Sequence, residues 1–222
     1  MDILIYGVIN SIALALMALG FALVYGISRV PNFAHGALYI VSGFVTWSLL
    51  RTLGLPYPIS ILLAIGMVGI IGALIYQFVL IRVRGMAISE IIASYAIGLA
   101  ILEGLRWAGF KGMTYTLPAF IPGGVIIGGT PVDYHRILLV VIGASVVGFL
   151  WLFTHYTRLG LALRGMAQDE RAALMLGIDS DHMALVAMAL GSMLAGLAGI
   201  LLLPLGNIVV EAGYNVLILA IS

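Results

Sequence analysis

The chain contains no cysteine, and only 9% of its 222 residues are charged. Without thiols there is no disulfide, no thiolate metal site and no cysteine nucleophile, and cysteine usage carries no signature of a redox compartment. The scarcity of charge excludes more. A soluble domain carries roughly a quarter of its residues charged, so this chain cannot hold its surface in water. Basic clusters and an acidic tail are also missing, and the net charge is only +1. Nothing in that pattern calls for nucleic acid or a polybasic lipid anchor. His135, His155 and His182 lack metal-ligand spacing, and no Ser/His/Asp grouping occurs. The expected sites therefore include no metal and no catalytic residue. The ten-residue alternating segments of a membrane barrel are absent as well.

What is present is apolar: 63% of the residues are hydrophobic. The runs approach the ~20 residues that cross ~30 Å of hydrocarbon as helix, which predicts an all-α polytopic transmembrane bundle surrounded by membrane lipid. The opening "MDILIYGVINSIALALMALG" has no basic leader and outruns a signal peptide, so it reads as a retained helix. Spans are expected over residues 3–28, 37–50, 59–80, 88–106, 134–155 and 183–203, in one domain covering 1–222. Residues 211–222 begin a further apolar run that stops at Ser222. This reads as a crossing cut short or a half-helix held by a partner.

Between the first two spans lies "RVPNFAHG", residues 29–36. Pro31 removes a backbone donor and disfavours helix at Val30, and Gly36 loosens the restart. A broken membrane helix survives only where protein or a water-filled cavity receives its freed polar groups. Pro31, Asn32, Phe33, His35 and Gly36 are therefore expected at a helix break on or beside a translocation pathway. Two roles stay open for Asn32 and His35: capping the freed backbone, or meeting a polar substrate. Asn10 is a weaker candidate for the pathway lining. Glu90 and Glu103 are intramembrane carboxylates, functional candidates by default, although Arg106 stands one helical turn from Glu103 and can neutralise it.

Small residues repeat at four-residue spacing at Ala18, Ala22 and Gly26, and again at Gly191, Ala195 and Gly199. Such stripes let membrane helices approach closely. The stretch 109–133, with "LPAFIPGGVIIGGTP", carries enough Pro and Gly to break any helix. If residues 156–182 are cytoplasmic, alternation puts Arg29, Arg82, Arg84, Arg158, Arg164 and Arg171 inside, against Arg51, Arg106, Lys111 and Arg136 outside. The N-terminus is then external, and 109–133 becomes an external lid or docking surface.

Residues 156–182 form the most polar segment. Gln168, Asp169 and Glu170 suit the start of a short helix, Ala172, Ala173, Leu174 and Met175 propagate it, and Gly177 suits its end. So short a helix is marginal alone. Leu174, Met175 and Leu176 need a surface, either a soluble partner or, less well given the few basic residues, lipid headgroups.

The run "RGMAQDERAALMLGIDSD" resembles the cytoplasmic loop of the permease subunits of ATP-driven branched-chain amino acid importers, the LivH- and LivM-like family. Arg164, Ala167, Asp169, Ala172, Ala173, Gly177, Ile178 and Asp179 match its pattern, and Glu170 falls within it; Gly165 replaces a common alanine. "NFAHG" at 32–36 resembles the same family's signature, as does the preceding "ALGFALVYGI". Members of that family usually continue past the point equivalent to Ser222, which implies a truncation or a variant end. The resemblance implies a multi-pass permease of the cell inner or plasma membrane. Its expected partners are two cytoplasmic ATPase subunits, a second permease subunit and an extracytoplasmic solute-binding protein. The sequence has no GxxxxGK[ST] phosphate loop, so the chain is expected to carry no cofactor, with ATP and Mg used by the partner subunits. An ion-coupled secondary transporter and a channel are the alternatives of other classes.

Overall fold

A computed structural model describes residues 2–29, 31–107 and 117–205, the side chain of Ile127 excepted. The expected run at 211–222 and the first part of the 109–133 stretch lie outside these residues. Helix α1 (Asp2–Ser28) is one unbroken apolar segment. It stops where Arg29 turns to φ +58 and Pro31 can offer no amide. Helix α2 (His35–Arg51) follows. Helix α3 (Tyr57–Ile75) opens with proline in its first turn, passes through a π-helical turn at Tyr76–Leu80 and closes in α4 (Ile81–Val83). Then come α5 (Ala87–Leu105), the hairpin of β1 (Gly124–Ile127) and β2 (Thr130–Asp133), and α6 (Tyr134–Tyr156). Helices α7 (Arg158–Gln168), α8 (Glu170–Met175) and α9 (Ser180–Leu202) complete the order.

Five of these segments are long and apolar enough to cross a membrane: α1, α3 with its extension, α5, α6, and α9 with its terminal turn. Six were expected. The difference is α2, whose 17 residues reach about 25 Å at 1.5 Å per residue, short of the hydrocarbon thickness. It can be short and polar because protein covers it. His35 through Gly43 are all buried, α3, α5 and α9 pack around it, and α1 meets it at His35.

Helix α9 is the axis of the bundle. Apolar burial gives helices little reason to associate within lipid, so close backbone approach matters more. A Cβ added at Gly20 would lie 2.5 Å from the Gly191 carbonyl oxygen, and one at Gly191 would lie 2.7 Å from that of Gly20. The two backbones therefore touch. The α9 stripe behaves as expected, with Gly199 against the Tyr39 carbonyl and Ser42. On α1 the contact residue is Gly20, and Gly26 has open space around it.

Two ends of the bundle are defined by contacts. At one end Arg29 donates to the Ala167 carbonyl, and Arg84 pairs with Glu170 and Asp181. At the other, Tyr6 donates to the Pro131 carbonyl at 2.8 Å, Tyr57 to that of Pro118 at 2.9 Å, and Arg136 sits 5.0 Å over the Tyr6 ring. The arm and the turns at Arg29 and Arg84 thus share one end, and the segments at Tyr57, Pro118 and Pro131 the other. The stretch expected to be irregular instead contains the hairpin, made possible by Gly128 and Gly129, both at positive φ, between paired strands. His135 braces this end. Its Nδ1 accepts from the Phe120 amide at 3.3 Å, which places the proton on Nε2 to donate to the Leu201 carbonyl at 2.9 Å.

Candidate functional site

The helix break is built by its own side chains. The Asn32 carboxamide oxygen accepts from the Ala34 amide at 3.0 Å, its backbone carbonyl accepts from His35 at 3.3 Å, and α2 is thereby nucleated two residues earlier than the glycine at 36 suggested. His35 and Gly36 consequently stand in the first turn of α2. His35 donates from Nε2 to the Met17 carbonyl at 3.1 Å, with the Phe21 ring edge-on to it at 6.0 Å. The Asn32 amide reaches the Met188 sulfur at 3.3 Å, and the Phe33 amide donates to Ser94 Oγ at 3.1 Å. The break is thus tied to α1, α5 and α9 at once. Asn10 lies apart, on the exposed face of α1 near its other end. Replacing His35 by alanine is expected to cost about 1–3 kcal/mol, the scale for stranding a buried polar partner, read as a lowered melting temperature of the protein in detergent.

Beside the break is a small cavity of about 20 Å³, room for roughly one water molecule. Asn32, Tyr76, Glu90, Ser94 and Met188 are among the residues lining it. The π-helical turn contributes Tyr76 and Leu80 here, and such turns are frequent at functional sites. Glu103, by contrast, pairs with Arg106 at 2.8 Å, as the spacing suggested.

The 156–182 arm holds two helices where one was expected. The Thr157 hydroxyl caps α7 by accepting from Gly160 at 3.0 Å. Leu163 and Met166 of α7 and Ala173 of α8 are buried in the same cluster as Val24, Leu38, Val68 and Met188. Asp169 caps α8 by accepting from Ala172 at 3.1 Å, and Gly177, at φ +82, ends it. Asp179 accepts from the amides of Asp181 and His182, so it caps α9, which begins three residues before the expected 183. Arg164, Ala167 and Ile178 are half-buried, whereas Asp169, Glu170, Ala172, Gly177 and Asp179 are exposed. Leu174, Met175 and Leu176 stand 47%, 89% and 83% exposed.

Sequence reading missed the cation that holds this arm. Arg84, just past α4, donates to Asp181 and, at 3.3 Å, to Glu170, while the Tyr76 hydroxyl donates to the same Asp181 oxygen at 3.3 Å. Partial burial works against the charge on Arg84, but the Asp181 hydrogen bond and the two carboxylates outweigh it and raise its pKa above the ordinary value. Nothing local signals a pairing across 97 positions. Among the described residues no three His, Asp or Glu side chains gather to hold a metal ion.

Five apolar helices long enough to cross a membrane and a shorter, shielded one that follows a helix break, with a capped helical arm at one end, make a multi-pass membrane protein. The family described as the permease component of branched-chain amino acid transport systems matches residues 3–222, and the chain belongs to it. Among curated relatives it is 30% identical over 203 residues to the high-affinity branched-chain amino acid transport system permease protein BraD of Pseudomonas aeruginosa, covering 85% of this chain and 66% of that one. The corresponding LivH of Escherichia coli is 27% identical over 201 residues, covering 85% and 65%. The probable LivH of Methanocaldococcus jannaschii is 31% identical over 231 residues, covering 96% and 69%. The chain thus spans about two thirds of the length of these relatives. No solved structure matches. Apolar crossing helices and family together place the protein in the cell inner or plasma membrane.

Proposed function

We propose that the chain is a transmembrane permease subunit of an ATP-binding-cassette importer, translocating a small solute by alternating access. Branched-chain amino acids head the list of solutes because the relatives are named for their transport. In this reading the arm faces the cytoplasm and α8 is the coupling helix. Two ATPase subunits bind ATP and Mg, a second permease subunit completes the pathway, and an extracytoplasmic binding protein delivers solute to the hairpin end. The chain itself supplies no catalytic group.

The observation that carries this reading is the state of α8. Its inner face is packed into the bundle through Ala173 while Leu174, Met175 and Leu176 project outward. A six-residue helix is too short to persist alone, and an apolar tip on a rigid mount suits a protein groove. An ion-coupled carrier or a channel leaves that tip without an occupant.

Gly177→Pro tests it. Proline is locked near φ −65°, and it removes the Gly177 amide that donates to the Leu174 carbonyl at 3.0 Å. The expected result is loss of ATPase co-purification with an unchanged elution profile and melting curve for the permease. Retained association with full uptake would remove α8 from the coupling role.

A further inference from the structure

The buried carboxylate Glu90 has no cation among the described residues. Glu90 sits in the first turn of α5 and is 9% exposed. Its Oε1 accepts from the Gly85 amide at 2.7 Å, and among the described residues no ion pair reaches it. This differs from Glu103, which has Arg106. A buried carboxylate is costly unless something compensates it, and one backbone amide leaves most of its acceptor capacity unused.

The place it faces is mainly apolar, with a few polar groups, and is shared by several helices. Glu90 lines the cavity beside the break together with Ser94 one turn along α5, Asn32, and Tyr76 of the π-helical turn. Val24 and Ser28 come from the last turns of α1, and Ala184 from the first turns of α9, so the cavity occupies the half of the bundle next to the arm. At about 20 Å³ it is too small for an amino acid in this conformation. Its wall is tied to the arm, because Tyr76 is hydrogen-bonded to Asp181 and through it to the Arg84 network, so a movement of the arm is transmitted to the cavity. Asn32 supplies a further polar wall, although its own groups are largely used by Ala34 and Met188.

We propose that Glu90 is the binding group for the protonated amine of the transported solute on the inner half of the pathway, with Ser94 and Asn32 forming the polar wall beside it. The inference rests on the importer reading for the solute's route and adds to it the chemical feature that is recognised: an ammonium group rather than a carboxylate or a branched side chain. An ammonium offers three donors and one charge, which matches a buried carboxylate with no cation beside it among the described residues.

The test uses the full chain in membrane vesicles, treated with a hydrophobic carbodiimide that forms an adduct on buried carboxyl groups, with the adduct at Glu90 quantified by mass spectrometry. L-leucine and isoamylamine, which carry the amine, are each expected to reduce that adduct about tenfold at about ten times their dissociation constant. Isocaproate, which carries the carboxylate and the branched chain but no amine, is expected to leave it unchanged. Absence of protection by both amines, or equal protection by isocaproate, overturns the proposal. Glu90→Gln supplies a second measurement, because the amide oxygen still accepts from Gly85 and only the charge is lost. Its ligand-free melting temperature should match the wild type while the leucine-induced upward shift disappears; a retained shift also overturns the proposal. None of these outcomes bears on ATPase association, so failure here is distinguishable from failure of the importer reading.

Discussion

Replacing Gly191 by leucine is expected to abolish accumulation of folded protein, while the same change at Gly26 is tolerated. At Gly191 the new Cβ alone would come within 2.5 Å of Val24 Cγ2 and 2.7 Å of the Gly20 carbonyl oxygen, where carbon atoms settle at roughly 3.5–4.0 Å. One of the two obstacles is backbone and cannot rotate aside, so α1 must leave α9. Ordinary overpacking costs about 1–3 kcal/mol; forcing apart a central helix pair consumes a large part of the roughly 5–15 kcal/mol that holds a protein folded. At Gly26 nothing stands within 4 Å of the added carbon, and the change is expected to stay within about 1 kcal/mol. Fluorescence-detected size exclusion with a thermal ramp reads both. Equal behaviour of the two variants would mean that the α1 and α9 backbones do not touch.

Reversing the charge at Arg84 is expected to disconnect transport from a permease that still folds. Its pairs with Glu170 and Asp181 are half exposed on the acidic side, and exposed pairs contribute about 0–1 kcal/mol to folding. Their importance is mechanical. One guanidinium joins the end of the third helix to the arm and to the start of α9, so motion of α8 reaches the cavity wall at Tyr76 through it. Arg84→Glu should lower vesicle uptake of radiolabelled L-leucine about tenfold, within the usual range of coupling between sites, with ATPase still bound. Pairing it with Asp181→Arg should restore part of the uptake, as expected for residues in contact. If Arg84→Glu transports normally, the arm acts on the bundle through its apolar contacts alone.

The parts legible in the sequence are those set by local composition. The first span was expected at 3–28 and is Asp2–Ser28; the fifth was expected at 134–155 and is Tyr134–Tyr156. Runs of apolar residues ending in Pro, Gly or charge carry that information by themselves. The cap at Asp169 and the stop at Gly177 follow the same local rules. The start of α2 was misplaced because Gly36 reads as a helix loosener, whereas the Asn32 side chain accepts from the Ala34 amide and fixes the turn that leads into the helix at His35. Helix α7 was missed although its sequence is amphipathic: Gly160, Leu163 and Met166, its buried residues, recur at helical spacing among Arg and Gln, a local signal that helical periodicity carries by itself. The choice of Gly20 over Gly26 depends on where α9 crosses α1, and the Arg84 network depends on three distant segments meeting. Neither is written in any window of the chain.

The enclosure of α2 bears on how the protein is made. A segment of that length, carrying His35, Ser42 and Thr46 at buried positions, is a poor candidate for lateral release from a translocation channel into lipid by itself. Its final covering, α9, emerges from the ribosome only after every other described helix. Until then α2 must wait at the interface or beside α1 and α3, and the centre of the bundle is filled only as synthesis of the described region nears its end.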